Sequence, residues 1–119
     1  MFNAAAFVED WLAFWNSHDI EGVLSHFDED ATFRSPVART LNLGVDGVLT
    51  GKAAIRDYWS RAIRLVPDLH FELVDYSVGI DIIVIRYLNQ KGVTIDEVLL
   101  FKGDRVISGF GAYPDTSAA

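Results

Sequence analysis

The chain has 119 residues, half of them apolar, a formal net charge of -7 and no cysteine. That is enough for one domain with a real core, and it rules out disulfides, thiolate metal sites and a cysteine nucleophile. The acidity argues against nucleic acid as a partner, because phosphate binding needs a basic face, and no apolar run reaches membrane-spanning length.

The N-terminal stretch MFNAAAFVEDWLAFW carries Glu9 and Asp10 and has no basic segment, so it does not read as a signal peptide; a cytoplasmic location is expected. Asn3 can cap a first helix running to about Asn16. Phe7, Trp11, Phe14 and Trp15 fall on one stripe of it. Trp11 and Trp15 are large enough to fill a core and line a cavity at once. Asp19 opens a short second helix, Ile20 to Phe27, which Asp28-Glu29-Asp30 ends as a turn. Ala31 to Ser35 reads as a strand stopped by Pro36. Residues 37–47 read as a loop over a pocket mouth, with Val48-Leu49 as a brief strand. Thr50-Gly51-Lys52 opens a third helix to about Val66, with Ile55, Tyr58, Trp59 and Ala62 on its inner stripe.

Four long strands follow: Leu69 to Val78, Ile80 to Gln90, Val93 to Lys102 and Arg105 to Tyr113. Short connections make the sheet mostly an antiparallel meander. With Lys91-Gly92 as a two-residue turn, Leu88 pairs with Ile95 and Arg86 pairs with Glu97 on the face toward the helices. Charged residues rarely sit in such rows unless paired, so Arg86 and Glu97 are the leading catalytic candidates, with the arginine expected to hold the glutamate ionised. Gly103-Asp104 as the next turn sets Leu99 opposite Ser108 and Glu97 opposite Phe110. Val74, Tyr76, Ile83, Ile85, Tyr87, Val98, Leu100 and Ile107 are then left on an apolar outer face, and a homodimer is expected to cover it. The fold class is α+β, with three N-terminal helices packed on a curved, mostly antiparallel sheet.

The segments WLAFWNSHDIEGVLSHFDEDATFRSP and LTGKAAIRDYW, followed by the four strands, resemble the nuclear transport factor 2-like superfamily, and within it the SnoaL-like group and the ketosteroid isomerases. The resemblance runs from about Ala4 to Tyr113, as a single domain over 1–119. It implies a cone-shaped cavity between sheet and helices, a small hydrophobic ligand and a dimer. The three polar positions of ketosteroid isomerases are held here by Trp11, Ser35 and Glu97. Serine has no basicity near neutral pH, so steroid isomerisation is not expected. The candidate set is Glu97 and Arg86 for proton chemistry, with Trp11, Trp15, Ser35, Tyr58, Leu88 and Phe110 for ligand contact. No cofactor is implied, and three histidines without ligand spacing argue against a metal.

Overall fold

The computed structural model describes residues 3–115. In chain order the elements are α1 (Ala4–Asn16), α2 (Ile20–Leu24), β1 (Phe27–Arg34), α3 (Pro36–Thr40), β2 (Val48–Thr50), α4 (Lys52–Leu65), β3 (Glu72–Gly79), β4 (Ile82–Leu88), β5 (Thr94–Lys102) and β6 (Arg105–Ala112). The strands form one open sheet in the order β2-β1-β6-β5-β4-β3. All neighbours are antiparallel except β1 and β6. Helices α1 and α4 lie on one face, and the core between them and the sheet is dense in aromatics: Phe7, Trp11, Trp15, Phe27, Phe33 and Trp59 are all buried. Among the described residues no helix is long and apolar enough to cross a membrane.

Among the described residues there are four helices rather than three. Ser35 accepts a hydrogen bond from the Val37 amide at 3.2 Å, with Pro36 at the first helical position, so the Ser-Pro pair begins α3 inside the expected loop. Helix α2 ends at Leu24, and Phe27 opens β1 instead of closing the helix. It still points inward, buried like Val23 and Leu24.

The larger correction is the register of the central hairpin. Arg86 pairs with Asp96 and Ile85 pairs with Glu97, a slip of one residue from the expected alignment. The cause is Asn89. Its side-chain oxygen accepts from the amides of Lys91 and Val93, both at 3.0 Å. Its backbone closes on Gly92 and Val93. This makes a three-residue loop, Gln90-Lys91-Gly92, with Gly92 in the left-handed region at φ 75°. Because side chains alternate with period two, one residue of slip turns every β4 side chain over. Ile83, Ile85 and Tyr87 therefore face the core, at 0, 0 and 4 % exposure, rather than the outside. Arg86 and Leu88 face out.

A second irregularity lies in β6. Phe101 pairs with Val106 but Leu100 pairs with Ser108, leaving Ile107 as a bulge. Beyond it Phe110 pairs with Val98 on the outer face, where the Arg34 guanidinium lies 5.0 Å from its ring centre. Gly111, not Phe110, sits beside Glu97.

Candidate functional site

A cavity of about 180 Å³ lies between the inner sheet face and the helices, with Ser35, Tyr58, Glu97 and Tyr113 among its lining residues. Each arrives by a different route. Ser35 ends the path of β1 and is held as the cap of α3. Tyr58 comes from the middle of α4, and its hydroxyl donates to Ser35 Oγ at 3.2 Å. Glu97 is an inward residue of β5, and Tyr113 is the first residue past β6. They gather round the bare Cα of Gly111. A methyl group there would lie 3.6 Å from Ser35 Oγ, 3.6 Å from the Tyr113 ring and 3.7 Å from Glu97 Oε1.

The rest of the wall is aromatic. Trp15 meets Trp59 edge to face at 4.9 Å, and Phe71 leans on Tyr87 at 4.2 Å. Phe71 lies just before β3, outside the regular ladder, and is held by a side chain instead. Asn16 donates to the Phe71 carbonyl at 2.9 Å and accepts from its amide at 2.7 Å, so the amide of Asn16 stands in for a neighbouring strand. His18 Nε2 bonds the Leu69 carbonyl at 2.9 Å. The N-S-H-D segment at the end of α1 therefore fixes one wall of the cavity.

Among the described residues Glu97 is the sole acid in the lining, and none of them brings a lysine, arginine or histidine to it. Among the described residues it makes no hydrogen bond and no ion pair. Burial alone pushes its carboxyl up to about 8, so it is neutral at pH 7. Burial also raises Tyr58, to about 12, against the opposing effect of its bond to Ser35. Tyr87 and Tyr113 are raised mainly by burial as well. Near neutral pH one end of the cavity thus presents a carboxylic acid, phenols and a serine hydroxyl, with the Tyr58 proton given to Ser35. Such a cluster complements an oxygen that gains negative charge. It lacks a base of ordinary strength. The indole nitrogen of Trp15, in the same lining, is buried without a hydrogen-bond partner among the described residues. Among the described residues no three His, Cys, Asp or Glu side chains gather as a metal-binding group.

Of the residues singled out in the sequence, Glu97, Ser35, Tyr58 and Trp15 come together in this lining. Trp11 stands behind it, packed on Trp15, Phe71 and Tyr87. Arg86, Leu88 and Phe110 lie on the other side of the sheet. Arg86 Nε pairs with Asp96 Oδ1 at 3.1 Å, half-exposed to water, so it neither touches nor tunes Glu97. Tyr87, Gly111 and Tyr113 were missed as site residues, and Phe71 with them. The Asn89 turn is the signal that turns Tyr87 inward. The β6 bulge, which brings in Gly111, has no marker in the sequence that we can identify.

Residues 8–109 match the model of the SnoaL-like domain. No curated protein sequence matches the chain. Among solved structures, a SnoaL-like protein of unknown function from Burkholderia thailandensis is 34% identical with a TM-score of 0.87, over 97% of this chain and 100% of the other. TerC, co-crystallised with polyporic acid, superposes with a TM-score of 0.77 at 16% identity, over 96% of this chain and 92% of TerC. A protein from Catenulispora acidiphila with a ketosteroid isomerase-like fold, in complex with trimethylamine, gives 0.72 at 18% identity, over 97% of this chain and 90% of that one. At such identities the last two likenesses speak for the fold alone.

Proposed function

The chain belongs to the SnoaL-like domain family, and on that premise we propose that it binds a small hydrophobic molecule in the inner cavity and carries out cofactor-free proton chemistry on it. Glu97 is the acid. Neutral at pH 7, it donates a hydrogen bond or a proton to an oxygen of the ligand, and the hydroxyl of Tyr113 shares that oxygen's charge. Ser35 holds Tyr58 in place and caps the start of α3. The observation that carries this reading is the solitary burial of Glu97. A carboxyl taken from water without a partner is costly, and such a group is found where its altered acidity is used. The test is the titration of Glu97, followed by carboxyl infrared or carbon-13 signals and assigned by loss in Glu97→Gln. A midpoint near 8 is expected; one in the ordinary carboxylate range would remove the acid from the proposal.

A second reading, ligand binding without chemistry, is favoured by the missing base: Ser35 stands where ketosteroid isomerases carry a carboxylate. Ketosteroid isomerisation should therefore stay near the buffer rate. The proposal extends to assembly. Ile82, Val84, Leu88, Val98, Leu100 and Phe110 remain half-exposed on the outer sheet face of a single copy. A second copy of the chain is the occupant that suits this face, since a C2 pairing buries the same apolar patch on both sides.

A further inference from the structure

We propose that the free edge of β3 docks an extended strand of another protein, apolar on one side and rich in lysine or arginine on the other. The residues of β3 are not among those lining the cavity, so this docking does not depend on Glu97.

The two ends of the sheet are finished differently. At one end β2 runs three residues, and its Val48 is already bridged to Val45. At the other end β3 runs eight residues, Glu72–Gly79, every one of them exposed. Asn16 acts as a substitute strand for the amide and carbonyl of Phe71. Among the described residues no such partner continues beside Glu72–Gly79, whose ladder is with β4 alone. A row of unpaired amides and carbonyls is a template for another strand. Sheet edges are commonly blunted by lysine, proline, short length or a bulge. Here there is neither lysine nor proline, and the bulge at Val74 leaves residues 75–79 as a regular run.

The side chains flanking that edge define the guest. Leu73, Tyr76 and Val78 pair with Tyr87, Ile85 and Ile83 and so share the inner face of the sheet. Glu72, Asp75 and Ser77 pair with Leu88, Arg86 and Val84 and share the outer face. Leu73, Tyr76 and Val78 are exposed, as is Ile80 just past the strand. An added strand would remove part of that apolar surface from water while pairing the backbone. Charge sets its other side. Residues 65–85 carry Asp68, Glu72, Asp75 and Asp81 and no lysine or arginine. Arg86 lies beside Asp75 but is bonded to Asp96 at 3.1 Å. A guest with alternating side chains sets its apolar ones against Tyr76 and Val78 and its cations against Glu72 and Asp75. A second copy of the chain would instead lay one acidic stretch against another, between molecules that each carry a net charge of -7. The cationic strand is therefore the better fit.

The experiment is an NMR titration of the full, nitrogen-15-labelled chain with three capped hexapeptides. One alternates lysine and valine, one alternates glutamate and valine, and one has its lysines in a block before its valines. The alternating lysine peptide should bind best, shift the amides of β3 more than those of β5, and slow their hydrogen exchange. Its affinity should fall about tenfold in about 1 M salt, where the screening length shrinks to about 3 Å. The same peptide N-methylated at every residue keeps its charge but loses its strand edge, and it should not bind. Glu72→Lys combined with Asp75→Lys should pass the preference to the glutamate peptide. Shifts centred on the cavity or the outer sheet face overturn the proposal, as does equal affinity for the glutamate, block or N-methylated peptide. Failure of the alternating lysine peptide to bind overturns it too. So does sedimentation of the chain alone as a dimer with protected β3 amides, which would make a second copy the occupant of this edge.

Discussion

Asp96 and Glu97 are neighbours on one strand and live in different chemistries. Asp96 points outward, 3.1 Å from the Arg86 guanidinium and in contact with water. Glu97 points inward, 5 % exposed, with no charged partner, and its carboxyl stays protonated into mildly alkaline pH. The two carboxylates differ by one methylene in structure and by a full half-period of the strand in environment. What separates them is the alternation of the pleat, and a loop three residues long decides which β4 side chain, Ile85 or Arg86, lies beside each. The neighbour of a site residue is thus chosen by turn chemistry at some distance along the chain.

The largest effect should come from placing a charge on each side of that pleat. Ile85→Asp puts a carboxylate at a position with 0 % exposure, opposite Glu97 and with no cation to meet it. Leaving such a charge unpaired costs roughly 3–5 kcal/mol, enough to abolish folding of many small domains. Val84→Asp, one residue earlier on the outer face, should fold normally by circular dichroism. Under the dimer proposal it should sediment as a monomer. Equal damage from both substitutions would overturn the register.

The next effect sharpens the contrast through pH. An isolated glutamate titrates near 4.5, and Glu97 in the fold near 8. Between those values the folded state holds a proton that the unfolded state has lost. Stability should therefore fall as pH rises, by up to about 1.4 kcal/mol per pH unit, and level off above about pH 8. Urea denaturation of the native chain and of Glu97→Gln at pH 5, 6.5 and 8 isolates the effect by difference. Parallel curves would mean that Glu97 is ionised throughout.

Much of this was legible from residue types and spacing. Phe7, Trp11 and Trp15 of the first helical stripe and Ile55, Tyr58 and Trp59 of the later one lie buried as their periodicity implies, while Phe14 and Ala62 of the same stripes are only partly buried. The Gly103-Asp104 turn joins Lys102 to Arg105 as read. Glu97 was found because an acid among Ile95, Leu99 and Phe101 breaks a row that is otherwise apolar. Its supposed partner was wrong because β4 is apolar on both parities: Ile82, Val84 and Leu88 read as well as Ile83, Ile85 and Tyr87. Pattern cannot choose between such rows, and the choice passes to the loop. There the Lys-Gly pair pointed to two residues, whereas Asn89, whose side chain bonds two amides ahead, makes three. The bulge at Ile107 moved Phe110 out of the site by the same arithmetic.

A smaller effect tests the wall opposite Glu97. Asn16→Ala removes both hydrogen bonds to the Phe71 backbone and leaves a part-buried amide and carbonyl to find water. The expected loss is about 1–3 kcal/mol. Hydrogen exchange at the Phe71 amide should accelerate more than at the Asp96 amide, which lies in the central ladder. A uniform change across both would mean that Asn16 supports the fold as a whole and not this wall.

The smallest effect is expected at Arg86, and its smallness is informative. Had the loop been two residues long, Arg86 would face Glu97 in the core, and Arg86→Met would strand a buried carboxylate. Glu97 would then lose the cation that kept it ionised, and its midpoint would climb. In the observed register the guanidinium meets Asp96 in water, where salt screening and side-chain entropy leave an exposed pair little net worth. Arg86→Met should hardly move the denaturation midpoint. It should leave the titration of Glu97 where it was. Glu97→Leu should then have the same effect on stability in the native and the Arg86→Met background, because groups on opposite faces without shared partners act additively. A coupling between the two substitutions, or an upward shift of the Glu97 midpoint in Arg86→Met, would place both side chains on one face after all. The three-residue loop at Asn89 would fall with it.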